Sequence, residues 1–136
     1  FAYATVRPNG RGRDYQGSLQ WIEDAGIIRR CYNLSSPELP LDGNAIPDQF
    51  KVYMADTGLF VSKLEQGTAA DILQGNLFGY KGAIFENLIA DIFGKMNRKL
   101  YYFRKDSGLE IDFVTRFKGE CTLVEVKGQQ RKHQKH

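Results

Sequence analysis

Four charged residues in the second half of the chain have the types and the order of a site for phosphodiester hydrolysis. Glu86 falls in an apolar helical pattern, Asp112 in a strand pattern, and Glu125 and Lys127 in a Glu-x-Lys triplet. Hydrolysis needs an attacking water and a stabiliser for the charge that builds up on the phosphate, and carboxylate-bound Mg²⁺ or Mn²⁺ supplies both. We therefore expect Asp112 and Glu125 to be the principal metal ligands and Glu86 a further direct or water-mediated ligand. Lys127 would orient or help deprotonate the water and offset charge in the transition state.

The same side chains also have a simpler interpretation as a solvated surface. Opposite charges on neighbouring antiparallel strands stabilise the pair by about 0.2–1 kcal/mol without any further role. A lone Glu-x-Lys triplet therefore carries little information. The ordered set of a helix with Glu, a hairpin with Asp and a strand ending in Glu-x-Lys favours one shared site.

One long helix and three short strands must position these residues. The helix is predicted at Tyr80–Met96, where apolar residues recur along one face, and Glu86 lies at the edge of that apolar stripe. A shorter helix is predicted at Gly58–Leu64. Short polar turns that contain Gly separate the strand patterns, which indicates an antiparallel meander next to the long helix. The strands are predicted at Lys99–Arg104, Leu109–Arg116 and Cys121–Lys127.

Alternation along the strands predicts which side chains share a face. Ile111 and Phe113 are expected to point one way and Asp112 the other. In the next strand, Glu125 and Lys127 are expected opposite their valine neighbours. If the two strands pair through the short turn between them, the charged faces coincide and the carboxylates meet beside the lysine.

The first half of the chain has a pattern typical of the end of a winged helix. After an irregular opening through Asp14, a helix is predicted at Tyr15–Ala25. Strands are predicted at Ile27–Leu34 and Phe50–Ala55, and the Pro-, Gly- and Asp-rich stretch Ser35–Asp48 connects them. The helices that would precede this tail and wing are absent, so the element is expected to be partial.

Composition restricts the protein class without identifying it. The chain has 136 residues, of which 42% are hydrophobic, enough for one ordinary core. Its net charge of +3 neither requires nor excludes nucleic acid, because binding depends on clustered charge. Cys31 and Cys121 lack the spacing of a zinc site or a disulfide framework, which fits a reducing cytoplasm. No apolar run approaches the roughly 20 residues that cross a bilayer, so no membrane contact is expected.

Three segments resemble the C-terminal domain found behind the ATPase module in a family of prokaryotic AAA-type ATPases. They are Phe85-Glu86-Asn87, Gly108–Phe113 and Leu123–Lys127. Lys51–Leu59 is similar to the segment that enters this domain, and Leu19–Leu34 is similar to the end of the winged helix before it. The family domain is itself uncharacterised and has a PD-(D/E)XK-like core.

The resemblance implies an α/β (α+β) fold with a restriction-endonuclease-like core, in which a helix lies on an antiparallel hairpin sheet. Residues 1–49 would be the partial winged-helix element and connector, and residues 50–136 the nuclease-like domain. The ATPase module would lie elsewhere in the parent protein, because no GxxxxGK[ST] motif occurs here and no ATPase activity is expected. Gly128–His136 is too short and polar for the helix and strand with which the family core continues, so a truncated domain is expected.

Two functions follow from these observations. The first is a nuclease-like domain of an AAA-type ATPase, with Mg²⁺ or Mn²⁺ as cofactor, DNA as a partner, and phosphodiester hydrolysis or DNA handling as its role. The second is a non-catalytic interaction or regulatory domain that binds DNA or a partner protein.

Overall fold

A computed structural model describes residues 3–5, 12–62, 67 and 78–127, which adopt a mixed α+β fold. Within these residues six strands form one sheet in the order β1-β3-β2-β4-β5-β6. The strands are β1 (Tyr3–Thr5), β2 (Ile28–Leu34), β3 (Ala45–Met54), β4 (Leu100–Arg104), β5 (Glu110–Phe117) and β6 (Glu120–Val124). The helices are α1 (Gly12–Asp24), α2 (Leu41–Asn44), α3 (Thr57–Ser62) and α4 (Phe78–Lys95). None of the described helices has both the length and the apolar character required to span a membrane.

Apolar side chains pack on both faces of the sheet. On the face covered by α4, the buried residues are Cys31, Tyr53, Ala90, Leu100, Tyr102 and Phe113. On the opposite face they are Leu34, Leu41, Tyr101, Phe103 and Val114. Every residue of Leu100–Phe103 is buried, because β4 lies inside the sheet and both of its faces are covered.

The predicted meander in the second half is confirmed, except that β6 ends at Val124, so Glu125–Lys127 follows the strand and does not form its last three residues. β4, β5 and β6 pair antiparallel in chain order. The helix α4 begins two residues before the predicted start at Tyr80 and ends one residue before the predicted end at Met96. The predictions for the first helix and the first long strand are confirmed by α1 and β2, although α1 begins earlier than predicted. The shorter predicted helix corresponds to α3.

Two predictions in the first half are wrong. The opening was expected to be irregular, but β1 forms there and pairs with β3. The connector was expected to reach Asp48, but it contains α2, and β3 begins at Ala45. Leu34 pairs with Ala45 and Tyr32 with Phe50, so Pro47 and Asp48 lie in an irregular stretch of β3 between paired residues, and the pairing on both sides of this stretch overrides the local turn propensity.

The sheet continues across the predicted division between residues 49 and 50. This position falls inside β3, and β2 pairs antiparallel with β3 on one side and parallel with β4 on the other. The segment predicted to be a partial wing is therefore joined to the meander by backbone hydrogen bonds between β2 and β4. The division into two domains stays a prediction, and the predicted truncation at Gly128–His136 lies outside the described residues.

Candidate functional site

A buried lysine is the centre of a charged network on the α4 side of the sheet. Lys51 lies on β3, is only 5% exposed, and has its Nζ 3.4 Å from Oε1 of Glu86. The same ammonium forms an ion pair with Glu110 at the start of β5 and lies 4.6 Å from the centroid of the Tyr102 ring. A buried charge is tolerated only when it is paired, so these two carboxylates hold the ammonium within the fold.

Tyr53 completes the shell around Glu86. Tyr53 lies two residues after Lys51 on the same strand, and its hydroxyl donates a hydrogen bond to Oε1 of Glu86. Burial raises the pKa of Tyr53 above its ordinary value, and the neighbouring Cys31, Glu86 and Asp112 raise it further. The hydroxyl therefore stays protonated and acts as a donor.

Cys31 lies next to this network but does not have the properties of a nucleophile. Burial raises the pKa of its thiol, and the nearby Lys51 ammonium opposes this shift without cancelling it. Because the thiolate is the reactive form, the protonated thiol acts as a small core side chain.

Asn87 fixes the position of Glu86 on α4. Its side chain is 1% exposed and bonds both backbone groups of Met54, accepting from N at 2.9 Å and donating to O at 3.1 Å. It also donates to Oγ1 of Thr57 at 3.1 Å. These bonds tie α4 to the end of β3 and the start of α3, and they place the adjacent Glu86 over the strand that carries Lys51.

A bulge in β5 corrects the predicted alternation of its side chains. Tyr101 pairs with Val114 and Phe103 with Ile111, so β5 has one residue more than β4 between these pairs. Ile111 consequently packs on the face opposite α4, whereas Phe113 packs under α4. The prediction that they share a face is wrong, because an extra residue in a strand reverses the alternation beyond it.

Asp112 lies at the bulge, near Tyr53 of the charged network. The negative charge of Asp112 contributes to the raised pKa of Tyr53, and the negative charge of Glu86 does the same. Glu110 and Asp112 lie two residues apart on β5, and Glu110 contacts Lys51. Two of the predicted site residues, Glu86 and Asp112, thus lie close enough to Tyr53 to raise its pKa.

The Glu-x-Lys triplet lies directly beside Asp112. β5 and β6 pair regularly as far as Phe113 and Val124. Beyond that pair, Oδ2 of Asp112 accepts a hydrogen bond from the backbone N of Val126 at 2.8 Å. Val124 and Val126 pack against the core under α4, and the intervening Glu125 is exposed, as is Lys127.

The arrangement of the described residues does not fit a metal ion held jointly by Glu86, Asp112 and Glu125. No three His, Cys, Asp or Glu side chains within the described ranges lie close enough together to form a metal centre. The carboxylates have the chemistry that Mg²⁺ prefers, but Glu86 is bonded to Lys51 and Tyr53. The predicted metal-binding roles, and the role of Lys127 at the attacking water, stay predictions.

Sequence reasoning missed three members of the charged network, namely Lys51, Tyr53 and Glu110. A usable signal was present, because Lys51 and Tyr53 are two residues apart in a strand pattern and therefore share a face. A lysine in phase with a core aromatic residue indicates a buried charge, which requires a carboxylate partner.

Comparisons with known proteins give matches to two protein families. Residues 81–136 match the domain of unknown function DUF4143, a domain found in AAA-ATPase-associated proteins, which confirms that part of the resemblance without assigning a PD-(D/E)XK core. Searches of curated proteins and of solved structures gave no significant match. Residues 1–70, just over half of the chain, match the domain of unknown function DUF8612. The chain therefore belongs to the DUF8612 family.

Proposed function

We propose that the chain is a PD-(D/E)XK nuclease-like unit that handles DNA beside the ATPase module of a longer protein. Phosphodiester hydrolysis is the activity proposed for it, with Mg²⁺ or Mn²⁺ as cofactor. Asp112 and Glu125 are the proposed principal ligands, Glu86 is proposed to contribute through a bridging water, and Lys127 is the proposed partner of the attacking water. The metal, when bound, would supply a polarised water and a counter-charge for the phosphate.

One contact supports this proposal above the others, the hydrogen bond from Val126 N to the Asp112 carboxylate. The proposed site requires an Asp on one strand to lie next to a Glu-x-Lys triplet at the end of the following strand. The bond fixes this proximity through the backbone, so it does not depend on the rotamers of Glu125 or Lys127. The match to a domain found in AAA-ATPase-associated proteins supports the proposed partner module.

A specific observation favours a second function, a non-catalytic domain that binds DNA or a partner protein. Lys51 pairs with both Glu86 and Glu110, so the fold itself supplies a counter-charge to these acidic side chains. A nuclease-like fold with such an internal ion-pair network can serve as an interaction domain.

Metal binding and cleavage measured together separate the two functions. Mg²⁺ and Mn²⁺ are titrated by calorimetry into the wild type and into the Asp112→Asn, Glu125→Gln double variant. Cleavage of single- and double-stranded DNA is assayed in the same buffers. Saturable binding and cleavage that both disappear in the double variant are expected from the hydrolytic function.

The matched control is the Asp106→Asn, Glu120→Gln double variant, which removes the same charges from exposed positions nearby. It should bind and cleave like the wild type. Metal-independent DNA binding without cleavage, unchanged in both double variants, would reject hydrolysis and favour the interaction domain.

A further inference from the structure

We infer that a pocket at the carboxyl ends of β2 and β4 binds a nucleotide through its phosphate, either free or at the end of a DNA strand. The choice of a nucleotide among phosphorylated ligands rests on the proposed function, because nucleotides are the units of the proposed DNA partner. The pocket is separate from Asp112 and the Glu-x-Lys triplet, none of which lines it.

The strand order creates this pocket. β2 and β4 are adjacent and parallel, with Leu34 paired to Phe103 at their carboxyl ends. The chain leaves β2 towards β3 on one side and leaves β4 towards β5 on the other. Connections that diverge from neighbouring parallel strands leave a crevice outside the carboxyl ends, and in open α/β sheets this crevice is where ligands bind. Here the crevice has a volume of about 620 Å³, which is within the range of small-molecule sites.

One wall of the pocket is a fixed polar group. Asn33 is 7% exposed, accepts a hydrogen bond from the backbone N of Arg104 at 3.0 Å and donates one to Oε1 of Gln49 at 2.9 Å. These bonds hold β2, β3 and β4 together, and they leave Nε2 of Gln49 to donate to a ligand. The buried rings of Phe50 and Phe103 supply apolar lining of the kind that receives a base or a sugar.

Two exposed cations of the lining, Arg104 and Lys105, form no ion pair with any carboxylate in the described part of the chain. Glu110 lies opposite Arg104 where β4 and β5 pair, but its carboxylate contacts Lys51 instead. The guanidinium and the ammonium are therefore available to an anion, and these are the groups that bind phosphate in proteins.

The contacts of the two cations place them at the pocket. Burial raises the pKa of Tyr102, another residue of the lining, and the nearby Arg104 charge opposes this rise. The Lys105 ammonium lies 6.0 Å from the centroid of the Phe103 ring. Asp106 is the only acidic residue among the described residues of the lining, so cations outnumber carboxylates there and favour an anionic ligand.

The test measures binding of thymidine 5′-monophosphate by calorimetry and of a short 5′-phosphorylated oligothymidylate by fluorescence anisotropy. EDTA is present in both assays, so that no metal ion contributes. We expect the Kd for both ligands to rise at least tenfold in the Arg104→Gln, Lys105→Gln double variant, because two phosphate-binding charges are removed. Binding of the strand alone, weakened to the same extent, would support the pocket with the strand end as its ligand. A wild type that binds neither ligand would overturn the assignment.

The matched control is the Arg116→Gln, Lys118→Gln double variant, which removes the same two charges from exposed positions of the β5–β6 hairpin, outside the pocket. Its Kd values should stay within twofold of those of the wild type. Equal losses in the two double variants would reduce the effect to general attraction between a basic surface and phosphate. Inorganic phosphate that binds as tightly as the nucleotide would reject a nucleotide as the ligand.

A second variant tests the cavity without a change of charge. Ser35 is exposed at the pocket, and Ser35→Tyr adds a bulky neutral side chain to its lining. Nucleotide binding should be lost in a protein whose circular dichroism spectrum matches that of the wild type. Unchanged binding by this variant would count against the pocket.

Cleavage assays with Mg²⁺ or Mn²⁺ on the same proteins separate the pocket from the proposed function. Weaker nucleotide binding in the pocket variants, with no cleavage by any protein, would support the pocket and reject hydrolysis. Cleavage by the wild type, with nucleotide binding unchanged in the pocket variants, would support hydrolysis and reject the pocket.

Discussion

At the scale of single residues, the position of Glu86 depends on its neighbour Asn87. The Asn87 amide bonds the backbone N and O of Met54 and the hydroxyl of Thr57 while almost fully buried. A buried polar group that loses its hydrogen-bond partner lowers the stability of the fold. The Asn87 amide therefore anchors α4 to the residues it bonds, in addition to packing on the core face of the helix.

We expect Asn87→Ala to lower the free energy of unfolding by about 3 kcal/mol, because it leaves buried backbone groups of Met54 unpaired. The measurement is urea unfolding followed by circular dichroism. Gln20→Ala, which removes an amide from an exposed position on α1, is the control and should cost less than about 1 kcal/mol. An equal loss in the two variants would show that Asn87 does not anchor α4.

At the scale of elements, Arg29 of β2 packs against the last turns of α4. Its guanidinium contacts Asp91 at 3.5 Å, and a Cβ placed on Gly94 would overlap it. Gly94 therefore allows the close approach of Arg29, and a side chain at this position would require the guanidinium to move. Gly82 on the same helix has no described atom near the position of a Cβ.

A double-mutant cycle tests this packing. Gly94→Ala in the wild type should be neutral or destabilising, because the gain in helix propensity is offset by displacement of Arg29 from Asp91. In an Arg29→Ala background the same change should stabilise by about 1 kcal/mol. Gly82→Ala should stabilise in both backgrounds, as measured by thermal unfolding. A benefit from Gly94→Ala that does not depend on Arg29 would contradict the proposed overlap.

The limits of the sequence as a predictor are clearest in β5 and β3. Hydrophobic periodicity predicted the helix around Glu86 and the three strands of the meander, because their patterns are local. The bulge beside Asp112 has no local signal, since it is defined by the pairing with β4, where two residues of β5 lie opposite Tyr102. The spacing of Lys51 and Tyr53 indicated that they share a face, but the ion-pair partners of Lys51 could not be identified, because Glu86 and Glu110 lie far along the chain.

At the scale of the whole molecule, three groups that lose a proton at high pH pack on the α4 side of the sheet. Burial raises the pKa of Cys31, Tyr53 and Tyr102, and the nearby Lys51 opposes the shift at Cys31 and Tyr102. Their ordinary values are 9.0 for the thiol and 10.0 for the phenols. Above these values the unfolded chain loses protons that the folded chain retains, so the free energy of unfolding falls as pH rises.

We expect the titration of these groups to leave the free energy of unfolding unchanged below pH 9 and to lower it above pH 9. Tyr53 should lower it by up to about 1 kcal/mol per pH unit beyond pH 10. Urea unfolding of the wild type and Tyr53→Phe from pH 7 to 11 measures the effect. The variant loses the hydrogen bond to Glu86 and should be less stable at pH 7, but its decline at high pH should be shallower. Parallel declines in the two proteins would refute a role for Tyr53.

The strand order also determines when the fold can assemble during synthesis. β2 is flanked by β3, which follows soon after it, and by β4, which is translated only after α4. Until β4 leaves the ribosome, one long edge of β2 has no partner, and such contacts between distant segments make folding slow. A chain that stops before Leu100 would expose this edge to other chains, so shortened versions of the protein should aggregate even though every residue of the helix carrying Glu86 is present.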